Sequence, residues 1–127
     1  MGGNVTNSVA MGYCFGGSAI LEWARSGKNL DGFVSFHGGL ETPSGQSYQD
    51  AKGKYLILHG GADESVSMEQ FSKLSQELEG SKVSYEMITY SGAPHAFTVF
   101  GSERYRKDAD EKSWNRLISF LKENLKK

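Results

Sequence analysis

The sequence predicts an α/β protein, a parallel sheet with helices on both faces, and three observations carry that expectation. Short apolar runs alternate along the chain with stretches whose apolar residues recur at helical spacing. The apolar runs end in glycines, which tight turns off a sheet favour. The single cysteine and the three histidines, Cys14, His37, His59 and His95, fall at or just beyond the ends of those runs. In parallel sheets, function gathers in the loops at the C-terminal strand ends.

The elements follow in order. Ser8-Val9-Ala10-Met11, within Asn7 to Tyr13, reads as a first short strand. Ala19, Ile20, Trp23 and Ala24 give Gly17 to Ser26 a helical spacing that Gly27 closes. Gly32-Phe33-Val34-Ser35-Phe36, within Leu30 to His37, is a second strand, ending at Gly38-Gly39. Leu40 to Gly53 is polar, carries Pro43 and Gly45, and reads as a surface loop. Tyr55-Leu56-Ile57-Leu58, within Lys54 to His59, is a third strand, followed by Gly60-Gly61. Ser67 and Gln70 make a capping box for a helix with the stripe Met68, Phe71, Leu74, Leu78, ended by Gly80. Val83, Tyr85 and Met87 alternate with polar neighbours along a fourth strand, Val83 to Tyr90, which turns at Ser91-Gly92. Asp108 and Glu111 begin a last helix, with Trp114, Leu117, Ile118, Leu121 and Leu125 as its buried stripe. Lys122, Lys126 and Lys127 suit the C-terminal end of its dipole. Four strands and three main helices imply βαβ units with right-handed crossovers.

The 127 residues suit one domain, residues 1–127, with no linker or internal repeat. Fourteen basic and 15 acidic residues leave a net charge of -1, without the basic field that nucleic-acid or membrane-surface binding needs. No apolar run approaches the ~18 residues of a membrane span. No leader pattern opens the sequence, so a cytoplasmic location is expected. Met1-Gly2 with Thr6 fits a myristoylation pattern and Asn4-Val5-Thr6 a glycosylation sequon. Both patterns arise often by chance, and an ordinary start is preferred. One cysteine excludes an internal disulfide and a multi-cysteine metal site. The three histidines lack the spacing of a local metal motif, so neither a metal nor a cofactor is expected.

The sharpest motif is Gly12-Tyr13-Cys14-Phe15-Gly16-Gly17, a G-x-C-x-G nucleophile elbow between a strand and a helix. Such a turn is tight enough to require glycine beside it, and it projects a strained nucleophile above the sheet. The helix N-terminus behind Cys14 favours thiolate, and the Phe15 amide can meet a developing oxyanion. A thiol nucleophile needs a base and a group to orient that base. In the chain order nucleophile, acid, histidine, the candidates are Cys14, Asp63 and His95, with Glu64 a rival to Asp63. His37 and His59 are expected to make structural hydrogen bonds beside glycine turns, although either strand end can also face a pocket. Tyr13, His37 and Phe97 are the candidate pocket residues.

Gly12-Tyr13-Cys14-Phe15-Gly16-Gly17, His59-Gly60-Gly61-Ala62-Asp63 and Pro94-His95-Ala96-Phe97 together resemble the dienelactone hydrolase family of α/β-hydrolases. Phe33-Val34-Ser35-Phe36-His37-Gly38-Gly39-Leu40 and the last helix around Ser113-Trp114 resemble it too. The resemblance implies half of an α/β-hydrolase fold and a Cys-His-Asp triad that hydrolyses small-molecule esters or lactones through an acyl-enzyme. In it Cys14 is the nucleophile, Asp63 the acid and His95 the base. Family members are about twice as long, and the match is to their C-terminal half. The absent half would supply outer strands, a second oxyanion amide and substrate-gripping residues. An arginine that holds the substrate carboxylate in the type member falls here at Val99. The first strand would then be an open edge, which a homodimer, another oligomer or a separate N-terminal half is expected to cover. The alternative function is a non-catalytic half-domain for oligomerisation or complementation. A thiol redox role is weaker, because no resolving cysteine accompanies Cys14.

Overall fold

A computed structural model describes residues 8–125. The motif matches at Met1-Gly2 and Asn4 to Thr6, together with Asn7, Lys126 and Lys127, lie outside the described residues. Within them the order is β1 (Val9–Tyr13), α1 (Phe15–Arg25), β2 (Gly32–Phe36), β3 (Lys54–Gly60), α2 (Met68–Gly80), β4 (Ser84–Tyr90) and α3 (Lys107–Asn124). The strands form one parallel sheet in sequence order, β1-β2-β3-β4. The expected α/β class and strand count are therefore present.

Strand alternation sends β2 and β3 side chains to two cores. Phe33, Tyr55 and Ile57 meet Leu21 and Ala24 of α1 and Leu74 and Leu78 of α2 on one face. Val34, Phe36, Leu56 and Leu58 meet Leu117 and Phe120 of α3 on the other. All five residues of β2 are buried, as expected of a parallel strand covered on both sides.

Two expectations need correction. First, β2 and β3 are joined by residues 37–53 with no helix, so the strand–helix alternation is incomplete. That segment is more than a surface loop. Leu40 and Tyr48 are buried in the same core as α1 and α2, and Arg25 Nη1 donates to the Tyr48 hydroxyl at 3.0 Å. Two apolar residues in a polar stretch, read from the sequence as a surface loop, thus cover the sheet. Second, α3 is rotated from its expected phase. Ala109, Ser113, Leu117 and Phe120 are its buried residues, whereas Trp114 is 48% exposed. The Phe120 ring lies over Gly32, where an added Cβ would come within 2.7 Å of it. The flat spot on β2 therefore helps set the phase. α2 ends at Gly80 as expected, and the left-handed residue beyond it is Lys82, at φ 61°. Its start is as expected, with Ser67 Oγ accepting from the Gln70 amide at 3.2 Å.

Candidate active site

β1 ends at Tyr13 and α1 begins at Phe15, so Cys14 alone turns the chain. Its backbone sits at φ 54°, ψ -122°, a costly conformation for a residue with a side chain. Hydrogen bonds hold it there. The Cys14 N–H donates to the Phe36 carbonyl at 2.9 Å, and the Cys14 carbonyl accepts from Gly17 N–H at 2.9 Å. A Cβ at Gly12 would lie 2.4 Å from the Gly16 carbonyl oxygen, and one at Gly17 2.4 Å from Ser35 Oγ. A Cβ at Gly16 would meet nothing within 4 Å, so crowding does not force every glycine of the motif. Phe15 is the first residue of α1, and its N–H has no partner within the helix.

Strain gathers around this turn. Among the described residues, the non-glycine residues with positive φ are Cys14, His37, Ala96 and Lys82, and the first three stand at or beside the candidate residues.

Asp63 follows β3, with its side chain fully buried. Its Oδ1 accepts from the Ser65 and Val66 amides, each at 2.8 Å. Those bonds fix the carboxylate and turn Oδ2 towards His95, whose Nδ1 lies 2.9 Å away. With Nδ1–H donating to Asp63, the Nε2 lone pair of His95 is left free. Glu64, the rival acid, is exposed and takes no part in this contact.

The thiol sits beside two imidazoles. Ligand atoms of Cys14, His37 and His95 all lie within 4.8 Å of one another. The hydrogen-bonding neighbour of Sγ is His37 Nδ1, at 3.2 Å. The other ring nitrogen of His37 is 2.9 Å from Thr98 Oγ1. His37 is 1% exposed and meets the buried Phe97 ring edge-on, with centroids 5.0 Å apart. Burial, reinforced by neighbouring His95, pushes its pKa down to about 4. The Cys14 thiol is pushed up, first by burial and then by the Asp63 charge, with Arg104 pulling the other way. Burial and the Asp63 charge both disfavour thiolate, so the thiol is the resting form.

Tyr13 is partly exposed and stacks on Phe36 with centroids 4.3 Å apart. Phe97 is fully buried and acts as the floor under His37. His59 turns away from Cys14: its Nδ1 meets Thr89 Oγ1 at 3.0 Å and its Nε2 the Val66 carbonyl at 2.8 Å. Thr98 and Arg104 were not legible as site residues. Nothing in their local sequence marks them, and residues 91–106 bring them close by folding back, with Arg106 N–H donating to the Phe97 carbonyl at 3.0 Å.

Comparison with known proteins adds a family. The model of the dienelactone hydrolase family matches residues 3–125. A Saccharolobus solfataricus protein named as a carboxymethylenebutenolidase is 33% identical over 93% of this chain and 45% of its own. An Escherichia coli K12 protein of the same name is 26% identical over 96% of this chain and 48% of its own. The chain spans about half the length of these curated relatives. The crystal structure of P91, a dienelactone hydrolase-like promiscuous phosphotriesterase from metagenomic libraries, superposes with a TM-score of 0.87 at 29% identity. That match covers 97% of this chain and 54% of P91.

Proposed function

The chain belongs to the dienelactone hydrolase family, and from that premise we propose that it hydrolyses carboxylic esters or lactones through Cys14, with His95 as base and Asp63 as the acid that orients it. The observation that carries this reading is the Asp63–His95 contact of 2.9 Å beside a cysteine held in a strained turn. Two histidines flank the thiol, and His95 is the better base. It is backed by a carboxylate, which stabilises the imidazolium that forms. His37 is backed by a hydroxyl, and a pKa of about 4 makes it a weak proton acceptor near neutrality.

The sulfur rotates from His37 towards His95, whose Nε2 takes the thiol proton. The thiolate attacks the carbonyl carbon, and the Phe15 N–H donates to the oxyanion that develops. The tetrahedral adduct collapses, and the leaving alkoxide takes the proton from His95. A thioester to Cys14 remains. Water gives a proton to His95 and attacks the thioester, releasing the carboxylic acid and restoring the thiol. Tyr13, partly exposed beside the elbow, is a candidate to line the acyl pocket. The names of the relatives favour lactones among the substrates.

Turnover of an activated short-chain ester by wild type and Cys14→Ala tests the reading. Loss of turnover in the variant is expected; equal background rates would remove it. A second reading, a non-catalytic half-domain, is favoured by the open β1 edge, whose Met11 and Tyr13 are 38% and 37% exposed. It predicts those equal rates together with tight self-association.

A further inference from the structure

We propose that Cys14, His37 and His95 form a binding site for a soft divalent cation such as Zn²⁺, one that ties up the nucleophile. Along the chain the three residues are remote, and only the fold makes them a ligand set. Their donor atoms lie within 4.8 Å of one another, and Sγ is already 3.2 Å from His37 Nδ1. Around tetrahedral zinc, with bonds of ~2.3 Å to sulfur and ~2.0 Å to nitrogen, ligand atoms stand about 3.3–3.5 Å apart. Binding therefore asks for a closure of little more than ~1 Å from the widest separation the three atoms now have.

The surroundings suit a metal as well as the distances do. A ligating imidazole normally gives its other nitrogen to a second partner, which fixes the ring. His95 Nδ1 is held by Asp63, leaving Nε2 for a metal. His37 Nε2 is held by Thr98, leaving Nδ1, which already meets the sulfur. One thiolate and two neutral imidazoles select zinc and its soft neighbours over magnesium or calcium.

The stoichiometry is simple. The thiol proton goes to buffer, the sulfur and two ring nitrogens bond the metal, and all but one of its waters leave. The retained water completes the tetrahedron. No electron changes hands. The bound metal holds the sulfur and the His95 lone pair that the proposed hydrolysis requires, so that consequence rests on the preceding reading. The site itself does not.

Co²⁺ replaces zinc as a visible probe, so the test is independent of ester turnover. Titrating the metal-free protein with Co²⁺ is expected to give one tetrahedral centre with a sulfur-to-cobalt charge-transfer band. The band is lost in Cys14→Ser, and His37→Gln weakens binding tenfold or more. Zn²⁺ displaces the cobalt. It also slows alkylation of Cys14, the only cysteine, by iodoacetamide at least tenfold in the wild type. Alkylation unaffected by Zn²⁺, no charge-transfer band at a hundredfold excess of Co²⁺, or a band unchanged in both variants would overturn the proposal. A protein that binds Co²⁺ in this way and hydrolyses no ester keeps the metal site and loses the enzyme; the reverse outcome loses only the site.

Discussion

Asp63 divides its two oxygens, one for the backbone of its own loop and one for an imidazole from the next. Asp63→Asn keeps an oxygen for the Ser65 and Val66 amides but presents an N–H to His95 Nδ1. The imidazole is then driven to the tautomer with no lone pair towards the thiol. A fall in kcat of about 10²- to 10⁴-fold with little change in KM is expected from steady-state kinetics; an unchanged kcat would contradict the role. His37 makes a separate prediction about stability. It faces the Cys14 thiol and His95, with the Asp63 charge beyond, and its folded pKa of about 4 lies below the ordinary 6.5. The unfolded chain therefore takes up the proton first. The stabilisation is complete above about pH 6.5 and is lost as pH falls towards 4. In metal-free protein, Tm should drop more steeply across that range for wild type than for His37→Gln, and parallel curves would refute it. Cys14, Asp63 and His95 were legible because each sits in a short motif at a strand end. The bond between His37 and Cys14 was not, because it depends on how two separate strand ends approach one another.

Between elements, the approach of α1 to β1 depends on glycine at some positions of the elbow and not at others. Gly12→Ala drives a methyl group against the Gly16 carbonyl, 2.4 Å away, and should cost on the order of 1–3 kcal/mol or more. Gly16→Ala meets open space within a helix and should be neutral or stabilising by up to about 1 kcal/mol. Denaturant unfolding of the two variants reads the contrast, and equal losses would show that the elbow is not built as described. Strands β2 and β3 could be read from the sequence because burial on both faces leaves almost continuous apolar runs. The phase of α3 could not. Its apolar residues offer two overlapping stripes, and the choice between Trp114 and Phe120 is made by Gly32 on a distant strand. Leu40 and Tyr48 were hidden for a related reason: isolated apolar residues in a polar segment carry no periodicity.

At the scale of the molecule, the sheet is protected unevenly. β2 and β3 are covered on both faces, whereas β1 pairs only with β2 among the described residues. Met11 and Tyr13 lie partly exposed along that edge, and the Phe15 ring beyond it is 87% exposed. Open edges of this kind invite pairing. Light scattering after size exclusion should find a homodimer or larger assembly, dissociated by a charged substitution at Met11; a stable monomer at micromolar concentration would contradict it. No helix among the described residues is long and apolar enough to cross a membrane. The α/β class followed from strand–helix alternation, and the polar run with Pro43 and Gly45 marked the helix-free β2–β3 crossover, though not its two buried anchors. What the fold accomplishes is to bring a thiol, an imidazole and a carboxylate from three loops together over one end of the sheet. Intact-mass analysis after mixing with a slowly deacylating activated ester measures that claim most directly. One acyl group should appear on wild type, map to Cys14, and be absent from Cys14→Ala. Wild type that turns over the ester with no acyl group on Cys14 would contradict the account.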